Sequence, residues 1–157
     1  MRLMPSMHPE HLPPGLAFLK AHFLLHRALT ARVGMRLERE QGIEVRDLIA
    51  LSFIAWGGVN TPTELARELQ LPKYEVSRSL ERLVALGAVT RTLDPVDARR
   101  TRVHLTESGR EFHERSIAAV QETVGPALES FPKMQELLGG LERLAASLSG
   151  QPAEVRA

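Results

Sequence analysis

The apolar positions along the chain predict a protein built mainly of helices. Apolar residues recur every three or four positions from Leu16 to about Glu40, and again from Val45 to Trp56, which is the period of two amphipathic helices. The first of these helices also carries apolar residues outside its main stripe, namely Phe18, Leu24, Leu25 and Leu29. Its apolar surface is therefore wider than one neighbouring helix can cover.

The segment from residue 61 to residue 87 has the pattern of two short helices joined by a tight turn. Thr61-Pro62-Thr63-Glu64 predicts a helix start, because a hydroxyl cap is followed by a proline at the first helical position and a glutamate three residues after the cap. Leu71-Pro72 interrupts this helix, and a second helix is predicted from Lys73 to Leu86, where Gly87 ends it. The second helix is expected to turn Val76, Leu80, Leu83 and Val84 to the core and Lys73, Tyr74, Ser77, Arg78 and Glu81 to the opposite face.

A hairpin and two further helices are predicted after this pair. The runs 89–93 and 102–105 are rich in β-forming residues, and the polar loop 94–101 between them carries Arg99 and Arg100. Thr106 can cap the next helix, and a last helix is predicted from about Lys133 with leucines at four-three-four spacing. This order predicts a mainly α fold with a small two- or three-stranded β wing beside a helix-turn-helix.

Composition and charge narrow the function classes. The 157 residues include no cysteine, which excludes disulfides and thiolate metal sites. No apolar run approaches the roughly 20 residues that cross a bilayer, and the N-terminus lacks a secretory signal, so we expect a cytoplasmic protein without a membrane partner. The net charge is only +1, but residues 71–103 contain seven basic and four acidic side chains, a local net charge of +3. Local positive charge is what phosphate binding requires.

Enzymatic motifs are missing from the sequence. There is no glycine-rich phosphate loop and no nucleophile elbow, and the acidic residues fall mostly on helix surfaces beside basic neighbours. We therefore expect neither an enzyme nor a cofactor.

The sequence resembles the MarR family of winged helix-turn-helix transcriptional regulators over about Val45 to Gly109. The residues that carry the resemblance are Thr61-Pro62-Thr63-Glu64-Leu65-Ala66, Val76-Ser77-Arg78-Ser79-Leu80-Glu81-Arg82-Leu83, Gly87, Arg91, Asp97-Ala98-Arg99 and Leu105-Thr106-Glu107-Ser108-Gly109. The resemblance implies a homodimer whose first and last helices interlock, and a regulator, most simply a repressor, that binds a pseudo-palindromic site on double-stranded DNA. It implies a lobe at 45–106, a helical dimerisation region at 15–44 and 107–150, and flexible ends at 1–14 and 151–157.

The resemblance also implies which residues meet DNA. The second lobe helix would enter the major groove with Lys73, Tyr74, Ser77, Arg78 and Arg82, and the wing would bring Arg91, Arg99, Arg100 and Arg102 to the backbone and minor groove. Asp97 would support the wing by pairing with a neighbouring arginine, and Thr61 would cap the first lobe helix. For Arg91, an ion pair at the wing base is an equal alternative. Tyr74 departs from the family pattern, in which a small residue is frequent.

Members of this family often bind small aromatic acids or phenols between the dimer helices and the lobe. Candidate lining residues here are His22, His26, Arg46 and Trp56, each also explained by packing or solvation. His22 and His26 are one helical turn apart and, with His8, His11, His104 or His113, suit a metal-responsive regulator, although packing in the core explains them better and we assign no metal site. A winged protein-interaction module is a further alternative, against which the basic wing argues.

Overall fold

The computed structural model describes residues 12–149. The predicted lead-in 1–14 and tail 151–157 lie largely outside that range, as do His8 and His11. The helices are α1 (Pro14–Leu29), α2 (Met35–Gln41), α3 (Val45–Ala55), α4 (Pro62–Leu69), α5 (Lys73–Ala85), α6 (Glu107–Glu129) and α7 (Met134–Leu148), and the strands are β1 (Val89–Leu93) and β2 (Thr101–Leu105). This order confirms the predicted mainly α fold with a β wing. None of the described helices is both long and apolar enough to cross a membrane.

The long first helix is interrupted by a π-helical turn. Thr30–Gly34 adopts π-helical geometry between α1 and α2, where the sequence pattern predicts one regular helix. No residue of α1 is buried, whereas Val33 in the turn and Leu37 in α2 are. Gly42, with a φ of 71°, then ends α2 in the left-handed conformation that glycine adopts without strain.

Contacts divide the chain into two compact units, one that ends at Val120 and one that starts at Gln121. The first unit contains the hydrophobic core. Its buried side chains come from α2 to β2 and include Leu37, Ile43, Leu51, Leu65, Val76, Leu80, Leu83, Val89 and Val103. Helix α3 packs against α4, α5 and β2, so it is the central helix of this unit.

The wing is a two-stranded antiparallel sheet. Its register pairs Val89 with Leu105 and Leu93 with Thr101. In addition, the Val103 N–H donates to the Asn60 carbonyl over 2.7 Å, which ties β2 to the residues before α4. The sheet itself nevertheless has two strands, the smaller of the two numbers that the sequence allowed.

The start of α6 lies close to the base of the wing. Thr106 caps this helix through its hydroxyl, which accepts the Gly109 N–H over 2.8 Å, and it also donates to the Gly87 carbonyl over 2.6 Å. A Cβ atom placed on Gly109 would lie 2.0 Å from the Ala88 carbonyl oxygen. Only glycine allows this close approach.

The second unit contains the end of α6 and the whole of α7 among the described residues. Helix α6 remains helical through Pro126 and ends at Glu129. No residue of α7 is buried. The leucines that predicted this helix are all exposed, at positions 137, 141, 144 and 148.

Candidate nucleic-acid interface

Helices α4 and α5 form a helix-turn-helix whose turn is fixed by local hydrogen bonds. Thr61 Oγ1 accepts the Glu64 N–H over 3.2 Å at the start of α4. At its end, Gln70 adopts a left-handed conformation with a φ of 52°, and the Leu71 N–H donates to the Ala66 carbonyl over 3.0 Å. Pro72 then lies immediately before α5, so the chain turns within three residues.

One face of α5 is exposed and carries side chains of mixed polarity. Lys73, Tyr74 and Arg78 are exposed, and Ser77 is half-buried and donates to Glu81 over 3.2 Å. Neither Lys73 nor Arg78 forms an ion pair with any residue in the range 12–149. Both cations are therefore available to an external partner.

The buried face of α5 differs from the prediction at one position. Val76, Leu80 and Leu83 are buried as expected, but Val84 is 39% exposed and Ser79 is buried in its place. Because successive helical residues rotate by roughly 100°, Ser79 and Val84 lie on opposite edges of the sector that contains Leu83, Val76 and Leu80. The burial of Ser79 and the exposure of Val84 show that α5 packs with the Ser79 edge turned inward. The prediction that Val84 belongs to the core was wrong.

The Arg82 side chain extends from α5 toward the start of α3. Its Nη1 contacts Asp47 Oδ2 over 2.5 Å and Glu44 Oε1 over 3.0 Å. The Asp47 carboxylate is fully buried and also accepts the Glu44 N–H over 2.9 Å. Arg82 is one helical turn from Arg78, but its guanidinium is paired with Asp47 and Glu44 of the neighbouring segment and is only partly exposed.

Arg46 joins the same group of charges. It contacts Glu44 over 3.0 Å and Glu75, on the first turn of α5, at shorter range. Glu44, Arg46, Asp47, Glu75 and Arg82 thus form one continuous set of ion pairs between α3 and α5, which we call the α3–α5 charge ladder. Sequence analysis did not identify this ladder, because its members lie up to 38 positions apart.

The wing loop is organised by Asp94. This carboxylate accepts the Val96 and Asp97 N–H groups over 2.8 and 3.1 Å and the Arg102 Nε over 2.6 Å. These bonds, led by that of the Val96 N–H, lower the pKa of the Asp94 carboxyl to about 2. The Asp94 carboxylate therefore stays charged at neutral pH and holds the loop through its hydrogen bonds. Arg102 forms an ion pair with this carboxylate.

The side chains of the remaining wing arginines differ in whether they form ion pairs or hydrogen bonds within the chain. Asp97 accepts the Arg99 N–H over 3.0 Å and pairs with the Arg100 side chain over 3.3 Å. Arg91 donates to the Ser77 carbonyl over 3.4 Å, which connects β1 to α5. The Arg99 side chain is exposed and has no ion pair within the described part of the chain.

A cleft of about 240 Å³ lies between the start of α4, the start of α5 and the wing strands. Its lining residues are Pro62, Thr63, Lys73, Ser77, Leu80, Arg91 and Thr101. The structure therefore brings Lys73 and Ser77 of the predicted helix surface together with Arg91 of the predicted wing surface. The walls of this cleft are mostly apolar, and two cations, Lys73 and Arg91, lie along them.

Of the four candidate effector residues, Trp56 lines an apolar cavity. An apolar cavity of about 350 Å³ is lined by Ile49, Ser52, Phe53, Trp56 and Gly57. Beside it, His113 packs edge-on against the Trp56 ring at 4.6 Å and contacts Ser52 Oγ over 2.8 Å. Burial lowers the pKa of His113, which favours its neutral form.

The other three candidates lie elsewhere. Arg46 belongs to the α3–α5 charge ladder and does not line this cavity. His22 and His26 are exposed on α1 with their rings stacked at 6.2 Å, so neither is packed in the core, contrary to the packing that their apolar neighbours in sequence favoured. Within residues 12–149, no three histidine or acidic side chains form a group that could hold a metal ion.

The comparisons with known proteins agree with this geometry. Residues 41–100, from the end of α2 to the wing loop, match the model of the MarR family. No curated protein sequence matches the chain.

Solved structures share the fold over most of the chain at low sequence identity. The transcriptional regulator BldR from Sulfolobus solfataricus is 21% identical with a TM-score of 0.74, over 85% of this chain and 95% of BldR. MepR of S. aureus, solved as a DNA complex, is 19% identical with a TM-score of 0.71, over 83% and 97%. CouR of Rhodococcus jostii RHA1, solved with p-coumaroyl-CoA, is 22% identical with a TM-score of 0.68, over 91% and 95%.

The family match covers α3, the helix-turn-helix, β1 and the wing loop as far as residue 100, and the structural likeness extends over 85% of the chain. Members of this family regulate transcription and are not enzymes, in agreement with the missing catalytic motifs. Residues 41–100 thus match the MarR family of transcriptional regulators, and the fold is that of solved winged helix-turn-helix regulators.

Proposed function

We propose that the protein is a homodimeric repressor that binds a pseudo-palindromic site on double-stranded DNA. The observation that carries this proposal is the set of unoccupied cations on one lobe: Lys73 and Arg78 on α5, and Arg99 at the wing tip. The DNA complex of MepR, which has the same fold, supports it. In this arrangement α5 enters the major groove, and the wing reaches the adjacent backbone and minor groove.

The contacts within the lobe divide the candidate residues into two groups. We assign DNA contact to Lys73, Tyr74, Ser77, Arg78 and Arg99, and phosphate contact to Arg91 across the cleft beside Lys73. Arg82 instead forms an ion pair with Asp47, Arg102 with Asp94, and Arg100 with Asp97. The second group shapes the surface that the first group presents.

Arg99→Ala is expected to weaken binding to all DNA sequences by a similar factor. Because Arg99 contributes one phosphate-directed charge, the slope of log K against log salt concentration should fall in magnitude by about one. The measurement is fluorescence anisotropy with specific and random duplexes between low and moderate salt. Arg115→Ala, which also removes an exposed cation, from α6, serves as the matched control and should leave the slope unchanged.

An Arg99→Ala slope equal to that of the wild type would show that the wing tip does not reach DNA. The proposal as a whole is tested by selecting bound sites from random duplexes. A regulator of the proposed kind enriches a two-fold symmetric sequence with half-sites about one helical turn apart. Selection that enriches no such sequence would reject the proposed function.

The homodimer is proposed from the apolar surfaces that one chain leaves exposed. Helix α1 exposes seven large apolar side chains, namely Leu16, Phe18, Leu19, Phe23, Leu24, Leu25 and Leu29. Helix α7 exposes leucines 137, 138, 141, 144 and 148. Apolar surface of this extent on a helix is covered by a partner in stable proteins. A second copy of the chain is the partner that we propose for both helices.

Leu19→Asp is expected to convert the dimer to a monomer at micromolar concentration, because it buries a charge in the proposed interface. Sedimentation velocity measures the change. Leu93→Asp is the control, since Leu93 on β1 is 66% exposed and Leu19 is 59% exposed, yet Leu93 lies outside α1 and α7. A wild-type monomer, or a dimer that tolerates Leu19→Asp, would contradict the assignment of this surface.

We further propose that a small aromatic or phenolic effector binds beside Trp56 and releases the DNA. The cavity has apolar walls from Ile49, Phe53 and Trp56, which suit a planar ring, and Ser52 supplies a polar group. CouR, which has the same fold, was solved with an aromatic acyl-CoA. Trp56 is the only tryptophan, so titration with phenol and salicylate is expected to change its fluorescence. Release of DNA without that change would place the effector elsewhere.

A further inference from the structure

The first turn of α5 contains a tyrosine whose hydroxyl hydrogen is donated to a neighbouring carboxylate. Tyr74 is 64% exposed, and its Oη donates to Glu75 Oε1 over 3.3 Å. The other oxygen of Glu75 accepts from Arg46 Nη1. Both carboxylate oxygens of Glu75 are therefore engaged, one by a guanidinium and one by the phenol.

The α3–α5 charge ladder fixes Glu75 in that position. Arg46 is held by Glu44 over 3.0 Å, Glu44 contacts Arg82 over 3.0 Å, and Arg82 contacts the fully buried Asp47. The ladder thus runs from the fully buried Asp47 to the exposed phenol of Tyr74, through members that are each partly exposed. A side chain held through such a series of charged contacts is oriented before any DNA is bound.

The direction of the Tyr74 hydrogen bond determines what the phenol can offer to DNA. A phenol has one hydrogen to donate, and here the carboxylate of Glu75 takes it, so the outward side of the oxygen presents only lone pairs. In the major groove, adenine N6 and cytosine N4 are hydrogen donors, whereas guanine and thymine present acceptors. The held phenol therefore attracts the first two bases and repels the other two.

We propose that Tyr74 is a specificity-determining residue that selects adenine or cytosine at one position of each half-site, with its acceptor role set by Glu75. The inference rests on the proposed function, because it requires α5 to lie in the major groove. The position of Tyr74 in the first turn of α5 is where a recognition helix approaches base edges. Its partner is thus a base that presents an amino group in the major groove, adenine or cytosine.

The test is site selection from random duplexes with the wild-type dimer and two nearly isosteric variants. Tyr74→Phe removes only the oxygen and is expected to reduce the preference for adenine or cytosine at one symmetric position by about fivefold, the contribution of one neutral hydrogen bond. Other positions should keep their preferences. Melting temperatures close to that of the wild type verify that both variants are folded.

Glu75→Gln provides the sharper comparison, because it reverses the predicted polarity. Arg46 offers only donors, so the amide oxygen of the glutamine turns to Arg46 and its NH2 group faces Tyr74. The phenol must then accept from the glutamine and donate outward, which shifts the preference toward guanine or thymine at the same position. Ser77→Ala is the control, expected to change a different position.

Each outcome separates this inference from the proposed function. If the wild type enriches a symmetric site and Tyr74→Phe enriches the same site with the same preferences, Tyr74 does not read a base and the inference fails alone. If Tyr74→Phe loses the preference but Glu75→Gln keeps adenine or cytosine, Glu75 does not set the polarity. If the wild type enriches no site, the proposed function itself fails.

Discussion

Gly109→Ala is expected to destabilise the protein by about 2 kcal/mol or more, although alanine is the better helix former. Helix propensity alone would favour alanine by up to about 1 kcal/mol. However, the new Cβ would lie 2.0 Å from the Ala88 carbonyl oxygen, and overpacking of this kind costs about 1–3 kcal/mol or more. The clashing atom belongs to the backbone, so no side-chain rotation can relieve the contact.

The same clash is expected to disturb the wing. The Ala88 carbonyl accepts the Thr106 N–H over 3.1 Å, the Thr106 hydroxyl donates to the Gly87 carbonyl over 2.6 Å, and these bonds join the start of β1 to the start of α6. Urea denaturation at fixed protein concentration measures the loss of stability. Gly15→Ala is the control, because a Cβ on Gly15 meets no atom within 4 Å. Equal stability of the two variants would show that the backbone at Gly109 can move aside.

The elements that the sequence predicted well are those determined by neighbours a few positions apart. The start of α4 followed from four consecutive residues, since the Thr61 cap, Pro62 and Glu64 act within one turn. The period of Val76, Leu80 and Leu83 likewise predicted the buried face of α5. Local patterns of this kind can be recognised without knowing what the helix packs against.

The parts that the sequence did not predict depend on partners far along the chain. Arg82 is one residue of a basic helix by sequence, and only the fold shows that Asp47, 35 positions earlier, occupies it. Asp94 is a typical turn residue by sequence, and only the folded hairpin brings it to Arg102. Net charge therefore indicated a basic lobe, but could not separate cations that are free from cations already paired.

Arg82→Met is expected to destabilise the protein by about 2–3 kcal/mol. Removal of one partner from a buried ion pair costs about 3–5 kcal/mol, because the remaining charge stays buried. The lower figure applies because the Arg82 side chain is 31% exposed, whereas that of Asp47 is fully buried. Denaturation measures the loss, and the salt dependence of DNA binding should keep its slope, since the charge of Arg82 is directed inward. A reduced slope would instead assign Arg82 to the DNA surface.

The double variant Asp47→Asn with Arg82→Met tests why Arg82→Met is unstable. The cause is either the lost packing of the Arg82 side chain or the buried Asp47 carboxylate that is left without a counter-ion. Asparagine keeps an oxygen that can accept the Glu44 N–H at the start of α3, but it carries no charge that needs a counter-ion. If the buried carboxylate is the cause of the instability, the double variant should be more stable than Arg82→Met alone. If the double variant is less stable, the packing of the Arg82 side chain carries the effect. Asp47 and Arg82 are also the buried end of the α3–α5 charge ladder. If the double variant is stable but its base preference at the Tyr74 position is altered, Asp47 orients the recognition helix through its charge.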